Sequence, residues 1–566
     1  MTAPLTPAER VVVVGYGPVA ARLIDDLLPA LAAGRISLLV VGAEQQPAYN
    51  RVLVADLGVG RTSWDAMQMS DPHELKAAGA DVRTGCRATH IDRARRRITL
   101  DDGSCEPYDR LILATGSRAN VPNLHGLNPD PTTVCLPAGI TALRDLADAT
   151  RLQCAVRRRD HVVVLGAGIL GLEAALAAAE EGATVTVVYH GTHPLGRSLD
   201  RTGGSVLAQT LKSRGITLKP KARSTGVTWR HDEPGRRFRA LVLDDGSEVE
   251  GDLLLISCGV RPRVELAAGC GLETARGVRV NHRLAADPEE RIFAIGDCAD
   301  IRCREQNCAE CAGAGGPSGL IGPGWNQASW LANYLGAVVD AGATAGVIRS
   351  EAFAGVVNSG ASAAVISEPL EAPKAPIMLL KARDVELSAA GAVDLEPWDE
   401  ESLSPLQAVA DQSGELPAPR RVAQWIDPEN GRYVKIVSAA GIIQGFVCIG
   451  MPRTGAELVL LFERGADLPP DKSTLFRLDG AETDIAGGAA TKSGPETTIC
   501  RCSGATLGVI EAAVTQGSSS VESLGRTTRA GTGCGSCKEK LVGIIEDHFA
   551  KEPLAEPGDT LQPIPV

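Results

Sequence analysis

VVVVGYGPVA (residues 11–20) and VVVLGAGILG (residues 162–171) set the architecture. In each, an apolar run ends in a turn of glycines spaced two apart. The first run is Val11–Val14, and its turn is Gly15-Tyr16-Gly17-Pro18-Val19-Ala20. A helical pattern follows (Ala21, Leu23, Ile24, Leu27, Leu28), then a second apolar strand, Ile36–Val41. The second copy runs from strand Val162–Leu165 through Gly166, Gly168 and Gly171 into a helix as far as Ala179, then strand Thr184–Val188. Two β-α-β units in one chain predict an α/β protein with two Rossmann-like, three-layer nucleotide-binding domains.

These turns carry chemistry. A phosphate-bearing cofactor needs backbone N–H groups and a helix N-terminus near its pyrophosphate. Gly15 permits the tight turn, Gly17 lets the backbone approach, and Ala20 lets helix and strand pack. Glu44 follows the second strand, where a ribose hydroxyl needs an acceptor. The second turn has the full G-x-G-x-x-G, but its following strand ends in Tyr189-His190 without an acid. Nothing there repels a 2′-phosphate, and His190, His193 or Arg197 would meet one. NADPH is favoured, with NADH left open.

Composition narrows the partners. The formal net charge of −12 lacks the basic footprint of nucleic-acid binding and would be repelled by anionic lipid. The most apolar stretch, residues 162–179, is broken by glycines and reads as strand, turn and helix rather than a membrane span. The N-terminus MTAPLTPAER shows no basic-then-apolar secretory pattern, so a cytoplasmic location is expected. Fifteen cysteines without an export signal then point to metal, redox chemistry or plain core use. Asp102-Gly103 and Asp245-Gly246 each read as strand-connecting turns. Met378–Val385 and Arg432–Ile449 look like strands, separated by a polar insertion at Leu395–Arg420.

Two more segments fit a two-nucleotide protein. LILATG (residues 111–116) and RIFAIGDCAD (residues 291–300) are apolar strands ending in Thr115-Gly116 and Gly296-Asp297. On these motifs the chain resembles the pyridine-nucleotide:flavin oxidoreductase superfamily. The resemblance implies FAD and NAD(P)H as cofactors, with Asp297 on the FAD ribityl chain. It also implies that Glu173, on the second helix, lies near flavin and nicotinamide. Many members reduce a disulfide through two cysteines four residues apart, but residues 47–56, PAYNRVLVAD, contain none. Tyr49-Asn50-Arg51 instead resembles the rubredoxin-reductase and nitrite-reductase branch, in which the Arg contacts FAD. That branch often has Lys five residues further on, whereas this chain has Asp56. Residues 319–328 resemble the family's helix start under the flavin, where a positive helix end favours a reduced, anionic ring.

Near the C-terminus, Cys500-Arg501-Cys502 is followed after 31 residues by Cys534-Gly535-Ser536-Cys537. Two close pairs supply four soft ligands, suited on spacing alone to a [2Fe–2S] cluster or a structural zinc. Glycines around Cys534 free N–H groups to approach the sulfurs. The segment resembles the bacterioferritin-associated-ferredoxin type of [2Fe–2S] domain, which implies iron–sulfur. Val509, Ile510, Ala513 and Val514 form its helical pattern. A possible second Fe–S or metal site is Cys303, Cys308 and Cys311, with Cys298 the nearest fourth ligand. The remaining seven cysteines (Cys86, Cys105, Cys135, Cys154, Cys258, Cys270 and Cys448) read as core or surface thiols.

The expected organisation is an FAD-binding domain in two parts, 1–118 and 254–340, with a Cys-rich insertion at 298–317. An NAD(P)H-binding domain occupies 119–253, and a small C-terminal α+β domain 345–465. A linker (466–497), the small helical [2Fe–2S] module (498–550) and a disordered tail (551–566) complete it. The resemblance extends to the nitrite-reductase large subunit, without an expected counterpart to its sirohaem domain. It implies the electron-transfer subunit of assimilatory nitrate reductase, working with a molybdenum catalytic subunit. The alternatives are a subunit serving nitrite reductase, a reductase for rubredoxin or ferredoxin, or a redox sensor without turnover.

Overall fold

The computed structural model describes residues 8–127, 136–232, 235–302, 316–317, 319–345, 370, 376–383, 385–399, 418–479, 494–500, 503–533, 535 and 537–551. The chain divides into two compact units, one through Gly488 and one from Ala489.

In the first unit, Val11–Val14 are at most 5% exposed. A strand buried on both faces reads as a continuous apolar run and belongs in the middle of a parallel sheet. The sheet order is Ile292–Ala294, Arg110–Leu113, Glu9–Val14, Ile36–Gly42, Asp81–Thr84, all parallel. The second sheet has the equivalent order: Ile140–Thr141, Leu253–Ile256, His161–Leu165, Thr184–Val188, Thr217–Lys219. Val14 lies beside Val41 and Leu113, and Leu165 beside Val188 and Ile256. The carboxyl ends of the central strands therefore finish level, which is where open α/β sheets bind ligands.

A three-stranded antiparallel sheet interrupts each of the two parallel-sheet domains at the same place, at 88–107 and at 224–250. Both Asp-Gly turns are present, with Gly103 at φ +84° and Gly246 at φ +80°. They pair the short strands Cys105–Pro107 and Glu248–Glu250 before the longer apolar segments enter the parallel sheets. Ser117–Ala119 and Val260–Pro262 form an antiparallel ribbon where the chain crosses between the two sheets. The helix Ile321–Ala345 packs on Pro18–Ala32, and the Trp325 indole N–H donates to the Pro18 carbonyl at 3.1 Å.

The small domain is a five-stranded antiparallel sheet ordered Ile377–Ala382, Val385–Gly391, Ile442–Ile449, Arg432–Ala439, Arg420–Asp427. Helix Pro452–Arg464 covers it, burying Leu458 and Val459 against Phe446 and Cys448. Two expectations change here. Met378–Val385 and Arg432–Ile449 each prove to belong to a hairpin, the first continuing to Gly391. Residues 466–479 are packed, not linker: Leu468 and Leu475 are buried, and Asp479 accepts from the Arg453 and Thr454 N–H groups at the helix start. Isolated leucines in a polar run carry no periodicity to betray them.

The second unit pairs Thr498–Cys500 with Ala505–Thr506 and adds helices Leu507–Thr515, Val521–Thr528 and Lys538–Lys551. Ile510, Leu524, Ala530 and Leu541 form its core. Ile510, Ala513 and Val514 are buried as their spacing requires, whereas Val509 is 51% exposed. The tail after 551 lies outside the described residues. Among those described, no helix is long and apolar enough to cross a membrane.

Candidate functional site

The two glycine turns share one geometry. Gly15 has φ +112°, and its N–H donates to the Val41 carbonyl at 2.8 Å. A Cβ there would lie 2.1 Å from the Ala114 carbonyl oxygen. Gly166 has φ +114°, donates to Val188 at 2.8 Å, and would put a Cβ 2.2 Å from the Ser257 carbonyl oxygen. Only glycine fits either position. Gly17 and Gly168 are the N-caps of the helices Pro18–Ala32 and Ile169–Glu180, and neither is capped by a side chain. Space is open beside both, with only the Arg51 Nε, at 4.0 Å, near a Gly17 Cβ. Helix N–H groups facing open space form an anion cradle. Ala20 is buried, and a Gly171 Cβ would lie 2.6 Å from the Gly166 carbonyl oxygen, so both serve close helix–strand packing.

Around the first turn the structure gathers polar groups from distant segments. Arg51 pairs with Glu44 and lies over the Tyr49 ring, and the Tyr49 hydroxyl donates to Glu44 at 2.9 Å. Thr115 donates its hydroxyl to the Arg263 carbonyl at 2.9 Å, and the Gly116 carbonyl accepts the Arg263 N–H. Arg263 has a lowered pKa, through burial first and then Arg51, Arg87 and Arg118, with Glu44 opposing. Arg51, beside the Gly17 turn, is a cation suited to a diphosphate. Asp297 Oδ2 accepts from the Ser117 hydroxyl at 2.7 Å and from Arg144 at 3.0 Å. Both bonds end on the same oxygen, which leaves Oδ1 for a ligand hydroxyl. The Arg144 Nε is buried without a hydrogen-bond partner. This donor set fits FAD. Sequence reasoning missed Ser117, Arg144 and Arg263, which no motif marks.

Cys298 lies under this site, fully buried, with its thiol donating to the Leu113 and Ile295 carbonyls at 3.2 Å. Burial pushes its pKa up. Its sulfur is satisfied by two backbone carbonyls. Cys303, Cys308 and Cys311 lie outside the described residues. The Cys258, Cys270 and Cys448 thiols likewise donate to backbone carbonyls, while Cys105 and Cys154 are exposed.

Around the second turn, His190 and Arg197 are exposed on the loop after Val188. His193 is half-buried. Its ring lies over Gly204, and its Nδ1 donates to the Pro194 carbonyl at 3.1 Å. The Lys221 N–H donates to the Gly191 carbonyl at 3.0 Å, which places Lys221 beside this loop. Glu173 is half-buried on the helix Ile169–Glu180, against which the segment Val54–Gly58 with Asp56 packs.

In the cysteine module, Cys500 and Cys537 come together from opposite ends of the unit, both buried. The Cys500 pKa falls to about 5, chiefly through its hydrogen bond with Cys537 against the effect of burial, with the Gly531 N–H adding to it. Gly531 (φ +82°) and Gly535 (φ +77°) flank the second cysteine pair. Two converging thiols with backbone N–H support fit a thiolate-held cluster. Cys502 and Cys534 lie outside the described residues.

Twin parallel sheets with matched glycine turns define a two-nucleotide oxidoreductase. The chain belongs to the pyridine nucleotide-disulphide oxidoreductase family, whose sequence model matches residues 9–316. It is accordingly an NAD(P)H-dependent FAD oxidoreductase. Residues 498–547 match the BFD-like [2Fe-2S] binding domain. A nitrite reductase [NAD(P)H] of Bacillus subtilis is 25% identical over 96% of this chain and 58% of its own. An assimilatory nitrate reductase electron transfer subunit of the same organism is 25% identical over 98% of this chain and 61% of its own. The chain thus spans about three-fifths of these relatives' length. Among solved structures, the covalent putidaredoxin reductase–putidaredoxin complex is 18% identical at a TM-score of 0.61. It covers 84% of this chain and 100% of that one, and shares the fold.

Proposed function

We propose that the chain is the NAD(P)H-oxidising electron-transfer subunit of an assimilatory nitrate reductase, delivering electrons to a molybdenum catalytic subunit. One observation carries the reading. A two-nucleotide oxidoreductase and a BFD-like [2Fe-2S] domain occur in one chain, and 98% of this chain is similar to part of the nitrate reductase subunit of Bacillus subtilis. A second reading, service to nitrite reductase, is supported by the equal 25% identity of the nitrite reductase. A reductase for rubredoxin or ferredoxin remains the simplest form of the same chemistry.

In this reading the first turn, with Glu44, Arg51, Thr115, Gly116 and Asp297, holds FAD. The second, with His190 and Arg197, holds NAD(P)H. Cys500, Cys502, Cys534 and Cys537 hold the cluster. Bound at the first turn, FAD would supply a two-electron acceptor for hydride from NAD(P)H and a one-electron donor matched to a [2Fe–2S] centre. The protein's own part is electrostatic and positional. Gly17 opens the helix end to the pyrophosphate, while Arg51 and Arg263 oppose its charge. Ser117 and Arg144 hold the Asp297 carboxylate in place through its Oδ2.

Arg144→Met removes one charge-assisted bond to Asp297 and is expected to weaken FAD retention about tenfold or more. FAD released on dilution, followed by fluorescence, measures this, and unchanged retention would remove Arg144 from the site. The function itself is tested with the protein purified with its cluster intact. NADPH- and NADH-dependent dye reduction is measured, then nitrate and nitrite reduction with candidate partner subunits. Dye reduction without acceptance by a molybdenum subunit moves the assignment to the second reading.

A further inference from the structure

We propose that the small C-terminal domain fixes the nucleotide loop 190–199 through a buried clamp on Asp200, which makes Tyr433 and Lys435 positioning residues for NAD(P)H. The inference rests on the reading that the second glycine turn binds NAD(P)H.

The loop is held at both ends. Towards the glycine turn, the Leu195 N–H donates to the Ala167 carbonyl at 3.0 Å. At its far end, Asp200 caps the helix Arg201–Ser213, accepting from the Gly203 N–H. Gly203 and Gly204 let two different parts of the fold press on the first turn of that helix. A Cβ at Gly204 would lie 2.1 Å from the His193 ring of the loop. A Cβ at Gly203 would lie 3.0 Å from the Tyr433 ring of the small domain. One helix turn is therefore shared by the loop and the domain.

Asp200 joins them electrostatically. Its Oδ2 accepts from the Tyr433 hydroxyl at 2.7 Å and the Lys435 ammonium at 3.3 Å. Lys435 also donates to Glu396 at 3.1 Å. The Lys435 side chain is 0% exposed and that of Asp200 2%. Leu195, Leu199 and Tyr433 share one apolar cluster. A buried ion pair is a poor way to hold two domains together, because apolar residues of similar size do it as well or better. Its better attested use is to select one arrangement among several. Here the arrangement selected runs from the strand Arg432–Ala439 through Asp200 and the loop to Ala167 of the glycine turn.

The test uses the full chain loaded with FAD, NADPH and NADH as donors, and ferricyanide as acceptor. Tyr433→Phe removes one hydroxyl, Asp200→Asn keeps an acceptor for the helix cap, and Lys435→Met removes the cation. If Lys435→Met does not fold, the other two carry the test. Each is expected to raise the KM for NAD(P)H about three- to tenfold, with kcat within about twofold and FAD content unchanged. Phe446→Leu, in the small-domain core on the opposite face of the sheet from Tyr433 and Lys435, lowers the melting temperature without moving KM. Native KM values in folded, FAD-loaded Tyr433→Phe and Asp200→Asn would overturn the proposal. So would an equal KM change in Phe446→Leu, which would mark a general loss of stability. Failure of the unsubstituted protein to saturate with NAD(P)H would instead overturn the site reading beneath it.

Discussion

Gly15→Ala is expected to give a chain that no longer holds FAD. The new Cβ would stand 2.1 Å from the Ala114 carbonyl oxygen, at a φ of +112° that alanine rarely adopts. Backbone strain of this kind costs about 1–3 kcal/mol before the overlap is counted, so FAD content should fall below about a tenth of the native value. The strand Val11–Val14 and the Ala114–Thr115 segment must separate to admit the methyl group, which spoils the cradle itself. Gly166→Ala meets the same clash against Ser257 at 2.2 Å in the second sheet. It should keep FAD and lose NAD(P)H oxidation by about a hundredfold. The pair separates the two sites by absorbance and turnover alone. If Gly15→Ala kept its FAD and Gly166→Ala lost it, the assignment of the two turns would be reversed.

Cys537→Ser should remove the iron–sulfur signal and leave the flavin chemistry in place. Its sulfur meets Cys500 in the core of the second unit, and a serine hydroxyl is a hard, weakly acidic replacement for a soft thiolate. Iron content is expected to fall below about a tenth of native, with dye reduction by NAD(P)H within about twofold. Delivery to any acceptor that depends on the cluster should fall with the iron. Cys500→Ser and Cys534→Ser should behave alike. An unchanged electron paramagnetic resonance signal in Cys537→Ser would contradict its place among the ligands.

The parts legible in the sequence were those whose physics is local. A β-branched run followed by glycines two apart reads as strand, turn and helix because only glycine reaches the required φ and only a buried strand is apolar throughout. Both sheets, both Asp-Gly turns and the helical core positions Ile510, Ala513 and Val514 followed from such patterns. The rest depends on contacts that leave no periodic trace. Ser117 and Arg144 reach Asp297 across 180 and 153 residues, and Lys435 reaches Asp200 across 235. Leu468 and Leu475 fill gaps in the small domain from within a polar stretch. The His193 ring packs on Gly204, a contact that only the absence of a side chain there permits and that no local pattern announces.

The near-identical strand orders and glycine geometries of the two sheets mean that the turns cannot themselves tell a permanent occupant from a passing one. An adenosine half that stays and one that leaves after each cycle would meet the same backbone. Residence time must therefore be written in the rims. The first rim is walled by Arg51, Glu44 and Arg263, and the second opens through His190 and Arg197 to water. Altering how long a nucleotide lingers is accordingly a matter of redesigning borders, with both floors left untouched.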